Sequence, residues 1–269
     1  MTKIELGPVG AVISPAAPGL VEAAAELEAL GYPTIWLTGG PLTGLDQVAE
    51  VVRATSRARI ATGILSVDRF DAKSLDALYA ELEAEHPGRF VVGLGGAHRG
   101  KPLATLNSYL DELAVVPREA TVLAALGPKM LQLARERSSG AFPVFVTPDY
   151  VREARAALGD DTALALMQLV VLDADPDRAR AVARGPIGGL AAAPSYQAHF
   201  RRLGFTEQET NPPGDRILDA LAFHGDAATV AGQVRGQLAA GADHVGLLVA
   251  DPAPAIPLEA YRELAALLL

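Results

Sequence analysis

Short runs of Val, Ile and Leu alternate with Ala-, Leu- and Glu-rich stretches of helical spacing along almost the whole chain, and this rhythm restricts the fold more than any other feature. An apolar run with no polar alternation reads as a strand buried on both faces, as in parallel sheets covered by helices. Strands are expected at Val9 to Ile13, Thr34 to Leu37, Arg59 to Leu65, Phe90 to Leu94, Ala120 to Ala125, Phe142 to Val146, Leu164 to Leu172 and His244 to Val249. Helices are expected at Leu20 to Leu30, Asp46 to Ser56, Ala72 to Glu85, Thr105 to Leu113, Pro128 to Arg137, Asp149 to Leu158, from Pro176 with Asp175 as cap, from the cap Asp226 to Ala240, and at Leu258 to Leu268. The punctuation agrees. Gly31 and Gly241 suit helix ends, His86-Pro87-Gly88 stops a helix, and Pro128 suits a first turn. Eight strands with helices between them fit a closed (β/α)8 barrel better than an open doubly wound sheet.

One stretch breaks the rhythm. Residues 185–223 carry Gly188-Gly189, Pro194 and Asn211-Pro212-Pro213-Gly214, and precede the last barrel helix and strand. They are expected to form an insertion with one or two helices, Tyr196 to Leu203 among them, within a single domain over 1–269. Such an excursion covers a pocket or packs a dimer contact.

Composition removes several function classes. The 23 basic and 32 acidic residues leave a net charge of −9, which disfavours nucleic acid or an anionic membrane as partner. A local positive pocket for a small anion stays open. Without cysteine there is no disulfide, thiolate metal site or cysteine nucleophile. The stretch Ala163 to Leu172 is interrupted by Gln168 and too short to span a bilayer, and the first residues lack the apolar run of a signal peptide. A cytoplasmic location is expected. No HxxxH, HExxH, GxSxG or glycine-rich GK[ST] pattern occurs.

Barrel enzymes place working residues where strands end, at the C-terminal face. This rule selects Thr38-Gly39-Gly40, the stretch Gly63 to Asp68, the stretch Gly93 to Arg99, and Leu126-Gly127-Pro128 with nearby Ser139-Gly140-Ala141. Gly93-Leu94-Gly95-Gly96-Ala97-His98 is no dinucleotide fingerprint, since His98 takes the last glycine position. Its glycines mark either a tight turn or a place where a flat ring or phosphate approaches the backbone. His98, at a strand end, is the histidine suited to proton exchange near neutrality. His86, His199, His224 and His244 read as turn, surface or strand-opening residues. Glu22, Glu26, Glu81 and Glu83 read as solvated helix faces, and Trp36 as core. Gln168 inside an apolar strand needs a partner, either structural or a ligand. Lys129 stands at the start of a helix whose free backbone donors suit an anion, whereas Arg135 and Arg137 read as an ordinary basic stripe.

A set of segments in chain order resembles the luciferase-like monooxygenase superfamily, and within it the branch that uses the deazaflavin coenzyme F420. Ala29-Leu30-Gly31-Tyr32 with Ile35-Trp36-Leu37 resembles the opening of these barrels. Ala61-Thr62-Gly63-Ile64 is similar to their third-strand bulge, and Gly88-Arg89-Phe90-Val91-Val92-Gly93-Leu94-Gly95 to their "GRF-x-LGLG" segment. Leu126-Gly127-Pro128-Lys129-Met130-Leu131, Leu133-Ala134 and Ser139-Gly140-Ala141 are similar to the F420 branch's "LGP-x-ML-x-LA…DGA". Phe145-Val146-Thr147-Pro148 and Ala240-Gly241-Ala242-Asp243-His244-Val245 extend the likeness over nearly the whole chain.

The resemblance implies an oxidoreductase passing a hydride between F420 and a small organic substrate, working as a homodimer. It implies ring contacts at Thr38, Gly63, Ile64, Ser66 and Gly95, with a non-proline cis bond at Gly63–Ile64. It implies tail contacts at Gly127, Pro128, Lys129, Gly140 and Ala141, and makes His98 the proton partner of the hydride step. Two alternatives accompany it: an FMN-dependent monooxygenase, and a silent barrel or partner subunit. Three departures from the family pattern accompany the likeness, and the first and last of them motivate the silent reading. Thr38-Gly39-Gly40 stands where relatives often carry an acid or histidine, Ser66-Val67-Asp68 replaces an asparagine-containing stretch, and the loop Arg99-Gly100-Lys101-Pro102 is short.

Overall fold

The computed structural model describes residues 3–97, 101–253 and 255–269. Its strands are β1 (Val9–Ile13), β2 (Thr34–Thr38), β3 (Arg59–Gly63), β4 (Leu65–Ser66), β5 (Phe90–Gly95), β6 (Thr121–Leu123), β7 (Gly140–Ala141), β8 (Ala163–Val171), β9 (Ala222–His224) and β10 (His244–Val249). β1 pairs β2, β2 pairs β3, β3 and β4 pair β5, and the ladder runs on through β6, β7 and β8 to β10, which pairs β1 again. Every one of these pairings is parallel, so the sheet closes into a (β/α)8 barrel with helices between the strands.

Two apolar layers hold this barrel. The inner one contains Leu6, Val12, Trp36, Ala61, Val91, Val122, Phe142 and Ala165, one residue from each of six strands with Leu6 before β1 and Phe142 just after β7. The outer one, between strands and helices, is far larger and is built mainly of Leu, Val, Ile and Ala. Each fully buried large side chain contributes about 1.5–3 kcal/mol by leaving water. Several helices begin as their sequences dictate: Asp71 accepts from Ser74 N, Thr147 from Tyr150 N, Asp175 from Asp177 N and Asp226 from Thr229 N.

Three strand expectations need correction. The run Arg59 to Leu65 is two strands, Arg59–Gly63 and Leu65–Ser66, and the Gly63–Ile64 bond between them is cis. The run expected at Phe142 to Val146 pairs earlier, at Gly140–Ala141, and afterwards makes only an isolated bridge from Val144 to Met167. Pro143 has no N–H to donate and Phe145 sits at φ 58, so the extended ladder stops there. The run Ala120 to Ala125 shortens to Thr121–Leu123, since residues Arg118–Ala120 form a 3₁₀ turn with Thr121 Oγ1 donating to the Pro117 carbonyl. The helix after β5 starts at Pro102, one turn ahead of expectation.

The stretch 185–223 also differs. The helix Pro176–Ala191 carries on through Pro186 into it, followed by helices Pro194–Arg202, Glu207–Thr210 and Asp215–Leu221 and then β9. Leu169 and Val170 of β8 pair with β10 and also with β9. β9 therefore lies on the other edge of β8, the edge that Gly140–Ala141 and Val144 occupy lower down. A third apolar cluster, with Phe145, Phe200, Ile217 and Leu221, fastens these helices to the barrel. No helix among the described residues is long and apolar enough to cross a membrane.

Candidate active site at the barrel mouth

Side chains alternate along a strand, so the inner cluster fixes which residues face the barrel axis. Trp36 and Phe142 lie in that cluster and stack with ring centroids 3.9 Å apart at 14°. Below them the Trp36 indole N–H donates to His244 Nε2 at 2.9 Å, and His244 Nδ1 donates to the Gly7 carbonyl at 2.7 Å. An indole can only donate, so His244 is the neutral Nδ1–H tautomer. Burial holds its pKa down at about 4. Ile64, Met167 and Leu248 rest on this layer, partly exposed at its upper side. The result is an apolar floor at the C-terminal end of the barrel.

The glycines around the floor make room for the protein's own bulge. A methyl on Gly39 would meet the Ile64 carbonyl oxygen at 1.6 Å, and one on Gly93 the Thr62 carbonyl oxygen at 1.8 Å. A methyl on Gly95 would meet Ala124 Cβ at 2.7 Å and Ile64 Cδ1 at 3.1 Å. On the side where a Cβ would stand, Gly93 and Gly95 thus face atoms of the protein itself. Gly95 nonetheless belongs to the mouth, between Ile64 and Ala124.

Hydroxyls border the floor on one side. Thr38 Oγ1 is covered and has no hydrogen-bond partner, although the residue as a whole is partly exposed. Ser66 Oγ donates to the Gly96 carbonyl at 3.1 Å. The loop after β2 is held by Arg69, which donates to the carbonyls of Gly40 at 2.9 Å and Leu42 at 2.6 Å. Nothing in the sequence singles Arg69 out, because its partners are backbone atoms about thirty residues away.

A second corner lies at the end of β6. Gly127 precedes the helix Pro128–Arg137 in extended conformation and gives it no side-chain cap, and Lys129 is exposed. Arg202, from helix Pro194–Arg202, donates to the Leu126 carbonyl at 3.1 Å, and its guanidinium would lie 3.6 Å from a methyl on Gly127. The Tyr150 hydroxyl donates to Ala125 O at 3.1 Å and Leu126 O at 3.3 Å. The loop Ala125-Leu126-Gly127 is thus clamped from two sides, and Arg202 adds a cation that sequence reading missed. Gly140 and Ala141 are adjacent, pairing Val122 and Leu123, but are buried in the barrel wall. The Gly140 carbonyl accepts from Ser138 Oγ at 2.9 Å.

His98, the expected proton partner, lies outside the described residues. The expectation of a turn or surface role for His199 is corrected: it is 0% exposed, with Nε2 donating to the Phe145 carbonyl at 2.9 Å and Nδ1 without a partner. Its helix turns it against the barrel, and burial lowers its pKa to about 4. Gln168 faces the outer layer. It donates to Leu221 O at 2.9 Å and accepts from Gln237 Nε2 at 3.3 Å, so its partners are structural. Arg137 pairs with Asp111 at 2.7 Å, away from the corner.

No protein-family profile and no curated protein sequence matches the chain. Solved structures do match. One is an F420-dependent secondary alcohol dehydrogenase in complex with an F420–acetone adduct, 15% identical, with TM-score 0.77 over 100% of both chains. The coenzyme F420-dependent tetrahydromethanopterin reductase from Methanopyrus kandleri is 14% identical, with TM-score 0.77 over 97% of this chain and 98% of that one. The chain has the fold of these proteins. An FMN complex of the oxygenating constituent of 3,6-diketocamphane monooxygenase from Pseudomonas putida shares it too, at 12% identity and TM-score 0.69 over 98% and 99%. At such identities the likeness concerns the fold.

Proposed function

We propose that this chain is an oxidoreductase that passes a hydride between coenzyme F420 and a small organic substrate. One observation carries the reading: the apolar floor of Ile64, Met167 and Leu248 and the cationic corner of Gly127, Lys129 and Arg202 share the C-terminal rim. That layout fits a flat ring with an anionic tail. Thr38 adds an orphaned hydroxyl beside the floor, where a ring edge would give it a partner. F420 bound there supplies the hydride acceptor or donor, since the cofactor carries the redox chemistry.

The chain's own residues position and shield. Ile64, supported from behind by Gly39 and Gly93, presents an apolar face and keeps water off it. Backbone donors at the start of helix Pro128–Arg137 face the tail, and Lys129 and Arg202 add positive charge. His98 is assigned the proton exchange that accompanies hydride transfer. The family resemblance and the full-length likeness to two F420-dependent enzymes support F420 over FMN. We also propose a homodimer, which sedimentation velocity tests.

The test is a fluorescence titration with F420 and, separately, FMN. Saturable F420 binding that weakens in Arg202→Ala is expected. Binding of FMN alone would replace the reading by a flavin monooxygenase, and binding of neither by a silent barrel or partner subunit. His98→Ala is expected to abolish turnover while retaining F420 binding.

A further inference from the structure

Parallel strands all begin at one end of a barrel, so the segments leading into β1, β2 and β3 meet on the face opposite the mouth. There Glu5 to Gly7, Tyr32-Pro33 and Arg57 to Arg59 border a cavity of about 370 Å³, a size that suits a small organic molecule. Its walls are fixed from behind. Thr34 Oγ1 donates to the Leu6 carbonyl at 2.6 Å, and His244 Nδ1 to the Gly7 carbonyl at 2.7 Å. Arg89 donates to the Ala58 carbonyl and to Thr55 Oγ1, both at 2.6 Å. Glu28 accepts from the backbone N–H groups of Ser56, Arg57 and Ala58 at 2.9, 2.6 and 2.7 Å. Burial pushes that carboxyl up, but the three donors outweigh it and leave its pKa lowered.

Two arginines line this cavity with their donors open. The chain has 32 acidic residues, yet among the described residues the guanidinium groups of Arg57, Arg59 and Arg201 make no hydrogen bond or ion pair. Two of these three border the one cavity, Arg59 half-buried at the start of β3 and Arg57 exposed two residues before it. The acids nearby do not engage them. Glu28 is turned to its three backbone donors, and Glu5, exposed on the same wall, forms an ion pair with neither arginine. Two acids and two arginines leave the lining without net charge, so selection rests on directed N–H donors. A guanidinium presents them as a planar fork that matches a carboxylate or a phosphate. Leu6, Tyr32 and Pro33 supply an apolar wall for the rest of a ligand.

We propose that this cavity on the N-terminal face binds a small organic anion, its carboxylate or phosphate group held by Arg57 and Arg59 and its apolar body against Leu6, Tyr32 and Pro33. The site stands apart from the oxidoreductase reading, since it lies at the other end of the barrel and shares no residue with the mouth.

The test uses three probes that share one ring: benzoate, phenyl phosphate and the neutral benzamide. Binding of each to the full chain is followed by saturation-transfer NMR near neutral pH. Both anions are expected to bind saturably and about tenfold more tightly than benzamide, and to weaken about tenfold in Arg57→Gln and in Arg59→Gln, the loss of a charged hydrogen bond. Arg202→Gln, at the mouth, is expected to leave their binding unchanged. The tighter of the two anions shows whether the site is shaped for a carboxylate or a phosphate. Benzamide binding as tightly as benzoate overturns the proposal, and so does an anion affinity unchanged in the two folded arginine variants. Binding lost in Arg202→Gln instead moves the anion to the mouth and overturns it as well, as does no saturable binding of either anion at millimolar concentration. If Arg59→Gln does not fold, Arg57→Gln, altered at an exposed side chain, decides.

Discussion

Replacing His244 by glutamine should remove a defined part of the protein's sensitivity to mild acid. In the folded chain His244 is neutral, its Nε2 occupied by the Trp36 N–H at 2.9 Å and its Nδ1–H by the Gly7 carbonyl at 2.7 Å. A second proton would set two N–H groups against each other inside the barrel. Burial is the main reason that its pKa falls to about 4, well below the ordinary imidazole value of about 6.5. A histidine with a depressed folded pKa favours the unfolded chain as pH falls, because the unfolded chain takes up the proton first. The loss therefore begins near the unfolded value and stops below the folded one. Between pH 7 and pH 5 it amounts to roughly 2 kcal/mol for one such histidine. His199, also held down to about 4 by burial, adds a similar share. Together they give about 4 kcal/mol, a large part of a typical folding stability of about 5–15 kcal/mol.

Glutamine at position 244 offers an amide oxygen to Trp36 and an N–H to Gly7 without titrating. Urea unfolding at pH 7 and pH 5 measures the difference. The stability lost between these values should shrink by roughly 2 kcal/mol in His244→Gln, and by about twice that when His199→Gln is added. An unchanged pH dependence in both variants would refute the assignment of these two rings as the buried neutral groups.

Gly39→Ala should destabilise by ~3 kcal/mol or more, since its methyl would sit 1.6 Å from the Ile64 carbonyl oxygen, whereas Gly40→Ala, with nothing within 4 Å, should be neutral in the same thermal melts. Asp76 accepts from the backbone N–H groups of Ala114, Val115 and Val116 at 2.8, 2.9 and 3.0 Å, and Asp76→Ala should cost about 2–3 kcal/mol. Burial pushes the Asp76 carboxyl up, but these three donors outweigh it and leave the pKa lowered. Its stabilisation is thus present above the ordinary carboxylate value of about 4 and is lost below it, so Asp76→Ala should flatten only the more acidic limb of the curve. Trp36→Phe should cost ~2–3 kcal/mol in urea unfolding, from the lost ring area and the unpaired His244 Nε2.

Much of the barrel is legible in the sequence because parallel strands announce themselves. β1, β10 and the helix Pro128–Arg137 lie where apolar runs and caps place them. The sixth strand is misplaced because Phe142 to Val146 looks extended by composition alone. Pro143 lacks a donor and Phe145 adopts a positive φ, with its carbonyl held by His199 from a helix more than fifty residues away. The burial of His199 follows from the same distant contact and has no local signal. The bulge at Gly63–Ile64 is marked by the family resemblance, but what Gly39, Gly93 and Gly95 accommodate is not. From one strand a missing side chain says only that space is wanted, and the neighbouring strand decides what fills it. Arg69, in a turn, and Arg202, at the end of a helix, are invisible for a related reason, since both act on distant main-chain carbonyls and neither carries a local signal.

β9 makes the stretch 185–223 a part of the wall. Ala222–His224 continues the course that Gly140–Ala141 begins along one edge of β8, so two segments about eighty residues apart share one slot. Excising the excursion would leave a gap beside the mouth, with the donors and acceptors of Leu169 to Val171 bare on that side. Grafting such a region between related barrels must carry the strand with the helices, and the border of the exchangeable module falls after His224.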